Sequence, residues 1–387
     1  MGEWDLTPLP EVLQFREGPG IMAADFRDEG VPLIRLAGLK DGADIFSKCN
    51  FLDPARVEEK WEHFKLLPGD VLLSTSASLG EVSTVPARAA GAIPYTGIVS
   101  FRPKNDRVHR SYVRHMLTDP AFESQIREMG VGSVMTHFGP SHLRQMTVRF
   151  PSVANQIAIA EVLGAFDDKI AANARMIPTC ESLAAELWRT SGKSAAVALS
   201  SLATFVNGRA YTKGASGTGR VVVRIAELNS GIGASTVRND IEVSENNTAR
   251  PGDLLFAWSG SLTVARWYRP EAIINQHIFK VIPVDDYPMW FVHQALKTKL
   301  ADFRATASDK ATTMGHIQRH HLDEVVHVPT IEEVGRIGQQ MQGCWDLALA
   351  TEIENLHLAR TRDEILPLLM SGQMTVKDAE SRASDVL

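Results

Sequence analysis

The chain has 387 residues, of which 44% are hydrophobic and 22% charged, with a formal net charge of −6 at pH 7. That length exceeds one ordinary core and implies two or three folded domains rather than a disordered polymer. No apolar run is long enough to cross a bilayer, the first ten residues read as no secretory leader, and Cys49, Cys180 and Cys344 lack metal-ligand spacing, so a cytoplasmic protein is expected.

In chain order, residues 1–150 alternate short apolar runs with Gly, Pro, Asn and Asp clusters. Residues 70–75 read as a strand, fed by a Pro-Gly-Asp turn in which proline presets one dihedral and glycine supplies the unusual one. Residues 110–116 and 122–129 read as short helices. From about 155 to 188 the pattern changes to a long helix. Ile159, Leu163, Phe166, Ile170, Ile177, Cys180, Ala184 and Leu187 fall at alternating spacings of four and three, with one polar step at Asn173. Asn173 either fixes register in that seam or faces solvent. Pro178 predicts a kink or an end.

Residues 196–328 then repeat the first unit. Phe15-Arg16-Glu17-Gly18 answers Phe205-Val206-Asn207-Gly208, and Arg35 to Leu39 answers Arg224 to Leu228. PGDVLLSTSASL at 68–79 matches PGDLLFAWSGSL at 251–262 in seven of twelve positions. Residues 98–103 match 278–283, and His137 with His142-Leu143 answers His316 with His321-Leu322. Five collinear matches imply an internal duplication. Within the second copy, residues 219–226, 253–257 and 278–282 read as strands and 289–303 as a helix. A second long helix follows over about 333–369, with Ile337, Met341, Cys344, Ala348, Leu358 and Ile365 apolar, Thr351 and Asn355 as interruptions, and Pro367 as a second expected kink or end. Some 34 helical residues make a rod of about 50 Å, and each rod's apolar seam needs a cover. The expected class is α+β: mixed α/β units at 1–150 and 196–328, each with a largely antiparallel sheet, separated by helical segments at 151–195 and 329–387 that pair as an antiparallel coiled coil.

This arrangement resembles the specificity subunits of type I restriction–modification systems over nearly the whole chain. The Pro-Gly-Asp-x-Leu strand followed by Ser-x-Ser, and Asn275-Gln276-His277 leading into Phe279, look like their target-recognition domains. The stretch PSVANQIAIAEVLGAFDDKIAANARMIPTCESLAAELW at 151–188 resembles their first helical region. The second helix departs from it, with Val334 where the first copy has Gln156, and the first unit has Tyr95-Thr96-Gly97 in place of Asn-Gln-His. The resemblance implies two target-recognition domains, each reading one half of a bipartite, asymmetric site in double-stranded DNA. It implies helices that set the spacing and dock two methylase subunits, with a restriction/translocase subunit as a further partner. It implies a non-enzyme with no cofactor or metal of its own, S-adenosylmethionine belonging to the methylase and ATP and Mg to the restriction partner.

Such a protein needs cations for phosphates and polar side chains for base edges. The first unit offers the run Arg102, Lys104, Arg107, Arg110, which also reads as a solvated helix face. The second offers Lys213 and Arg220 around a glycine-rich loop that also reads as a hairpin tip. Ser133 and Thr136, and Lys310, Thr312 and Thr313, lie on small polar loops preceding the fifth repeated block. Ser76 and Ser78, with their counterparts Ser259 and Ser261, recur closely enough for either a structural or a reading role. The histidine pairs are five residues apart with no completing ligand, so hydrogen bonding or phosphate contact is the expectation rather than metal.

Catalytic signatures are missing from the sequence. Ser191-Gly192-Lys193-Ser194 ends like a phosphate loop, but Leu187 stands where the leading glycine belongs. The acidic excess sits mainly in residues 329–387 and decides nothing about DNA, for which a face need only be locally basic. Without the resemblance, the repeat and rods would equally fit a duplicated enzyme using His316, His321 and Asp323, or a protein-interaction scaffold.

Overall fold

The computed structural model describes residues 4, 6–40, 42–76, 79–129, 138–193, 195–284, 287–309, 315–384 and 386. The chain divides into two compact units, Met1–Ala171 with His357–Leu387 and Ala172–Leu356.

The first unit carries two four-stranded sheets. In one, Leu13–Glu17, Ile98–Pro103, Val71–Ser74 and Val82–Thr84 are antiparallel neighbours in that order. In the other, Phe26–Arg27, Asn50–Leu52, Val31–Ile34 and Ile93–Pro94 run in order, the last pair parallel. The second unit repeats the antiparallel sheet and carries a mixed sheet of different strand order, its parallel pair central rather than at the edge. Ala203–Asn207, Ile278–Pro283, Leu254–Ala257 and Thr263–Arg266 form the antiparallel sheet. Arg238–Asn239, Arg220–Val223, Ala272–Ile274 and Thr248–Ala249 form the mixed one, with Arg220–Val223 and Ala272–Ile274 parallel.

Register is duplicated too. Phe101 lies opposite Phe15 on one side and Val71 on the other, and Val281 lies opposite Phe205 and Leu254. A one-residue slip would turn each buried face to water, so the alternation of apolar residues fixes this pairing. Each unit thus contains one parallel strand pair within otherwise antiparallel sheets, a feature that short-range pattern does not encode.

Local chemistry moves one boundary. The strand expected over 219–226 stops at Val223, and Ile225–Ser230 is helical. Glu227 accepts from the Arg224 amide at 2.9 Å and pairs with the Arg224 guanidinium at 2.6 Å, so its carboxylate caps the start of the helix and ends the valine run. The helix expected over 289–303 extends over Met289–Asp309.

The two long helices are Val153–Thr190 and Ile331–Met370. Within the first unit, Ile159, Leu163 and Phe166 of the former share a core with Leu358, Ile365 and Leu369 of the latter. Within the second, Cys180, Ala184 and Trp188 share a core with Ile337, Met341, Cys344 and Ala348. Early residues of one helix meet late residues of the other, so the pair is antiparallel. Arg362 donates to Asp167 at 2.6 Å in the first unit, and Asn173 to Glu354 and Asn355 at 2.7 and 2.9 Å in the second. Asn173 is therefore a buried register contact, 7% exposed, and not a solvent-facing step. Both prolines lie inside their helices. Each removes one bond to the carbonyl four residues back, and those residues, Ala174 and Asp363, are exposed. Among the described residues no helix is long and apolar enough to cross a membrane.

Candidate nucleic-acid interface

The fold sorts the cations into those with internal partners and those without. Arg102 is bound bidentately to Asp70 at 2.7 and 2.6 Å, and Asp70, 1% exposed, also accepts from the Leu67 amide at 2.7 Å. That pair locks the Pro-Gly-Asp turn. In the second unit Asp253 is met instead by Lys280 at 2.9 Å, a cation reaching the same turn from a different position on the equivalent strand. Lys104 donates to the Pro10 carbonyl at 3.2 Å, and Arg110 to the Pro68 carbonyl at 2.7 Å. Arg107 donates to Thr7 at 3.3 Å and lies 5.4 Å from the Phe150 ring centre. Of this run only Arg102 is committed to a carboxylate among the described residues; Lys104, Arg107 and Arg110 are exposed and bond only to carbonyls or a hydroxyl.

Arg220 pairs with Glu271 at 2.7 Å and donates to the Ile241 carbonyl at 2.7 Å. Lys213 is exposed, and neither it nor Arg209 makes an ion pair among the described residues. Arg266, with its side chain 3% exposed, binds Glu352 at 2.8 Å and Glu181 at 3.3 Å and lies over Trp345 at 4.7 Å. Burial raises the Glu181 carboxyl, but His293, Lys297 and Arg266 bring it below its usual range. Glu352 is raised, burial outweighing Arg266. Burial holds His293 down at about 3 and His115 at about 4, so both are neutral core residues.

The serines divide as well. Ser259 is buried at 9% and forms an isolated antiparallel bridge with His316, while Ser261 is exposed. Ser76 is half-buried against Gly97, where an added Cβ would lie 2.2 Å from its Oγ. Ser78, Ser133, Thr136, Lys310, Thr312 and Thr313 lie outside the described residues. The fifth repeated block has a structural reason: His142 Nδ1 accepts from the Gly139 amide at 3.2 Å, and His321 Nδ1 from the Gln318 amide at 2.8 Å. Both histidines cap the same turn.

One corner recurs in both units, at the aligned Tyr95-Thr96-Gly97 and Asn275-Gln276-His277, whose last residues were not among the expected contact residues. In the first, the Thr75 amide donates to the Gly97 carbonyl at 2.8 Å and the Phe138 amide to the Thr75 carbonyl at 3.1 Å. In the second, Trp258 takes the place of Thr75, donating to His277 at 3.1 Å and accepting from Ile317 at 3.1 Å. Gly97 has φ +81° and His277 φ 72°, a left-handed conformation that costs a residue bearing a Cβ about 1 kcal/mol. Thr75 Oγ1 and His277 Nδ1 are buried atoms with no hydrogen-bond partner among the described residues. The usable signal was the alignment of a glycine with a histidine at a position that needs positive φ.

The family model for the type I restriction modification DNA specificity domain matches residues 1–179. Residues 1–179 are thus similar to that specificity domain. Two curated members of the family from Methanocaldococcus jannaschii are similar to this chain. The type I restriction enzyme MjaVIII specificity subunit is 20% identical over 172 residues, and the putative MjaX specificity subunit 19% over 173, each match covering 43% of this chain. Each covers only 40% of the relative's own length. The crystal structure of a type I restriction–modification S subunit from M. genitalium is 15% identical, covers 95% of this chain and 96% of its own, and has a TM-score of 0.59. That likeness concerns the fold alone, and it runs through both units of this chain.

Proposed function

We propose that this chain is the DNA sequence-specificity subunit of a type I restriction–modification complex. The observation that carries the proposal is one unit built twice, its antiparallel sheet repeated with the same strand order and register, and each copy joined to a stretch of an antiparallel helix pair. The target-recognition domains are 1–150 and 196–328, and each reads one half of a bipartite, asymmetric site in double-stranded DNA. The helical segments, 151–195 and 329–387, set the spacing between half-sites and dock two methylase subunits. Duplication supports this reading because scaffold residues such as Asp70 and Asp253 are shared between the copies, while the corner residues differ, as two different half-sites require. The chain supplies recognition without catalysis. S-adenosylmethionine is held by the methylase, and ATP with Mg by a restriction subunit where one joins.

Phosphate contact falls to cations that the fold leaves uncommitted, Lys213 among them, and base contact to the loops at Ser76, Ser78, Ser133, Thr136, Ser259, Ser261, Lys310, Thr312 and Thr313. The test is methylation of random-sequence DNA by the chain mixed with its cognate methylase subunit, mapped base by base. A split motif modified only when both proteins are present is the expected result. Identical modification by the methylase alone, or no association between the two, would refute it.

A further inference from the structure

The corner shared by the two units concentrates features that folding alone does not explain. In the second unit, His277 is one of two residues other than glycine with positive φ among those described, and its Nδ1 is buried without a partner. Its sister position in the first unit is Gly97, which adopts the same φ without strain. A side chain kept at a left-handed position, with an unmatched polar atom, points from an observed cost toward a use.

The surroundings of His277 are built rather than incidental. The Trp258 indole lies edge-on to its ring at 5.0 Å between centroids and is itself held by Nε1 donating to Asn207 Oδ1 at 2.8 Å. His316, exposed, has its ring centre 6.4 Å from that of the indole. Gln276 is exposed, and its amide donates to the Arg209 carbonyl at 2.8 Å, while Asn275 Oδ1 accepts from the Tyr211 amide at 3.1 Å. These bonds set Arg209 directly beside the corner. Its side chain is exposed and makes no ion pair among the described residues, in contrast to Arg220, Arg266, Lys280, Lys297 and Lys299, each of which is paired with a carboxylate.

The first unit supplies an independent observation. Its buried orphan Thr75 Oγ1 belongs to the residue equivalent to Trp258, so the unmatched polar atoms fall on the two partners of one repeated backbone hydrogen bond. The same corner in the two copies therefore offers different polar chemistry on one scaffold: Thr75, Ser76 and Gly97 in the first, Trp258, Ser259 and His277 in the second.

We propose that this corner is the base-reading surface of each unit, and that His277, propped by Trp258, determines one or more bases of the second half-site while Arg209 contacts the adjacent phosphate. The inference rests on the proposed recognition of split DNA sites and names the residues that carry it in the second unit. An imidazole at this position meets a base edge as donor or acceptor, and a glycine there leaves that edge unread.

The experiment uses the full chain in complex with its methylase subunit, with methylated sites mapped for wild type, His277→Gly, His277→Asn and Arg209→Ala. Glycine and asparagine both accept positive φ, so folding is preserved and melting temperatures stay at or above that of wild type. In His277→Gly, discrimination at one or two positions of a single half-site is expected to fall by about tenfold, the other half-site remaining intact. Asparagine, which keeps a donor and an acceptor, changes or partly restores that preference. Arg209→Ala weakens binding to all sequences alike and makes the log–log salt dependence shallower by about one. Wild-type methylation of a split motif that His277→Gly reproduces unaltered would overturn the inference and leave the proposed function standing. So would equal loss at both half-sites with a lowered melting temperature, which marks a structural role. Wild type that directs no split motif would overturn the function, and the inference with it.

Discussion

Substituting Arg102 by alanine separates a scaffold cation from a DNA cation. The guanidinium makes two charge-assisted hydrogen bonds, at 2.7 and 2.6 Å, to Asp70, which is 1% exposed. Removing one partner of a buried pair costs roughly 3–5 kcal/mol because the remaining charge is left without compensation. Two features reduce that figure here. The Arg102 side chain is 33% exposed, so water screens the pair, and the Leu67 amide still donates to Asp70. A loss of about 2–3 kcal/mol results, equivalent to a fall in melting temperature of roughly 5–10 °C at about 2–4 °C per kcal/mol for a domain of this size. Thermal denaturation followed by circular dichroism measures the first quantity, and DNA affinity across a salt series the second. The expected result is a lowered melting temperature with an unchanged salt slope at temperatures where the variant is folded. A variant that melts with wild type while its salt slope falls by about one would show that Arg102 meets a phosphate, and would refute the sorting of cations by internal partners.

Further substitutions test the helix pair and the core. Arg266→Met leaves Glu352 and Glu181 without their shared cation and should destabilise the second unit by about 3–5 kcal/mol. A melting temperature within a degree or two of wild type would contradict that burial. Gln156, fully buried, accepts from the His109 amide and donates to the Arg107 and Pro151 carbonyls, so Gln156→Leu should cost about 2–3 kcal/mol by calorimetry. Its counterpart Val334 makes no such clamp, and Val334→Leu is expected to be nearly neutral. Acidification tests the buried histidines. His115 and His293 are held at about 4 and 3 by burial, below the 6.5 of the exposed side chain, so the unfolded chain takes up protons first. Stability is then full above neutral pH and is lost as pH falls from about 6.5 toward 4, each unit losing about 2 kcal/mol between pH 7 and 5. A melting temperature that holds steady or rises over that interval would count against neutral, buried imidazoles.

Much of the architecture lies in the order of residues along the chain. The two copies of Pro-Gly-Asp each specify a turn and a strand locally, and the spacing of Ile159, Leu163 and Phe166 specifies a helix with one apolar seam. Those signals depend on neighbours a few residues away, so they are visible without any tertiary information. The duplication and the antiparallel pairing of the helices follow from them. The parallel strand pair in each unit, and the continuation of both helices through Pro178 and Pro367, depend on what packs beside them and on which carbonyls water reaches.

The interface was least legible for the same reason. Arg102, Lys104, Arg107 and Arg110 read as a basic run because they are close in sequence, yet their partners, Asp70, Pro10, Thr7 and Pro68, come from other segments. Whether a cation faces DNA or its own scaffold is settled by which carboxylates and carbonyls the fold brings within reach, and sequence distance carries no such information. Sequence by itself determined that this protein is one unit written twice on two paired helices. Only the tertiary structure decided which charges are paired inside each unit, and that the histidine aligned with the sister copy's glycine stands in a left-handed turn, because partner distance and backbone dihedral are properties of the folded chain alone.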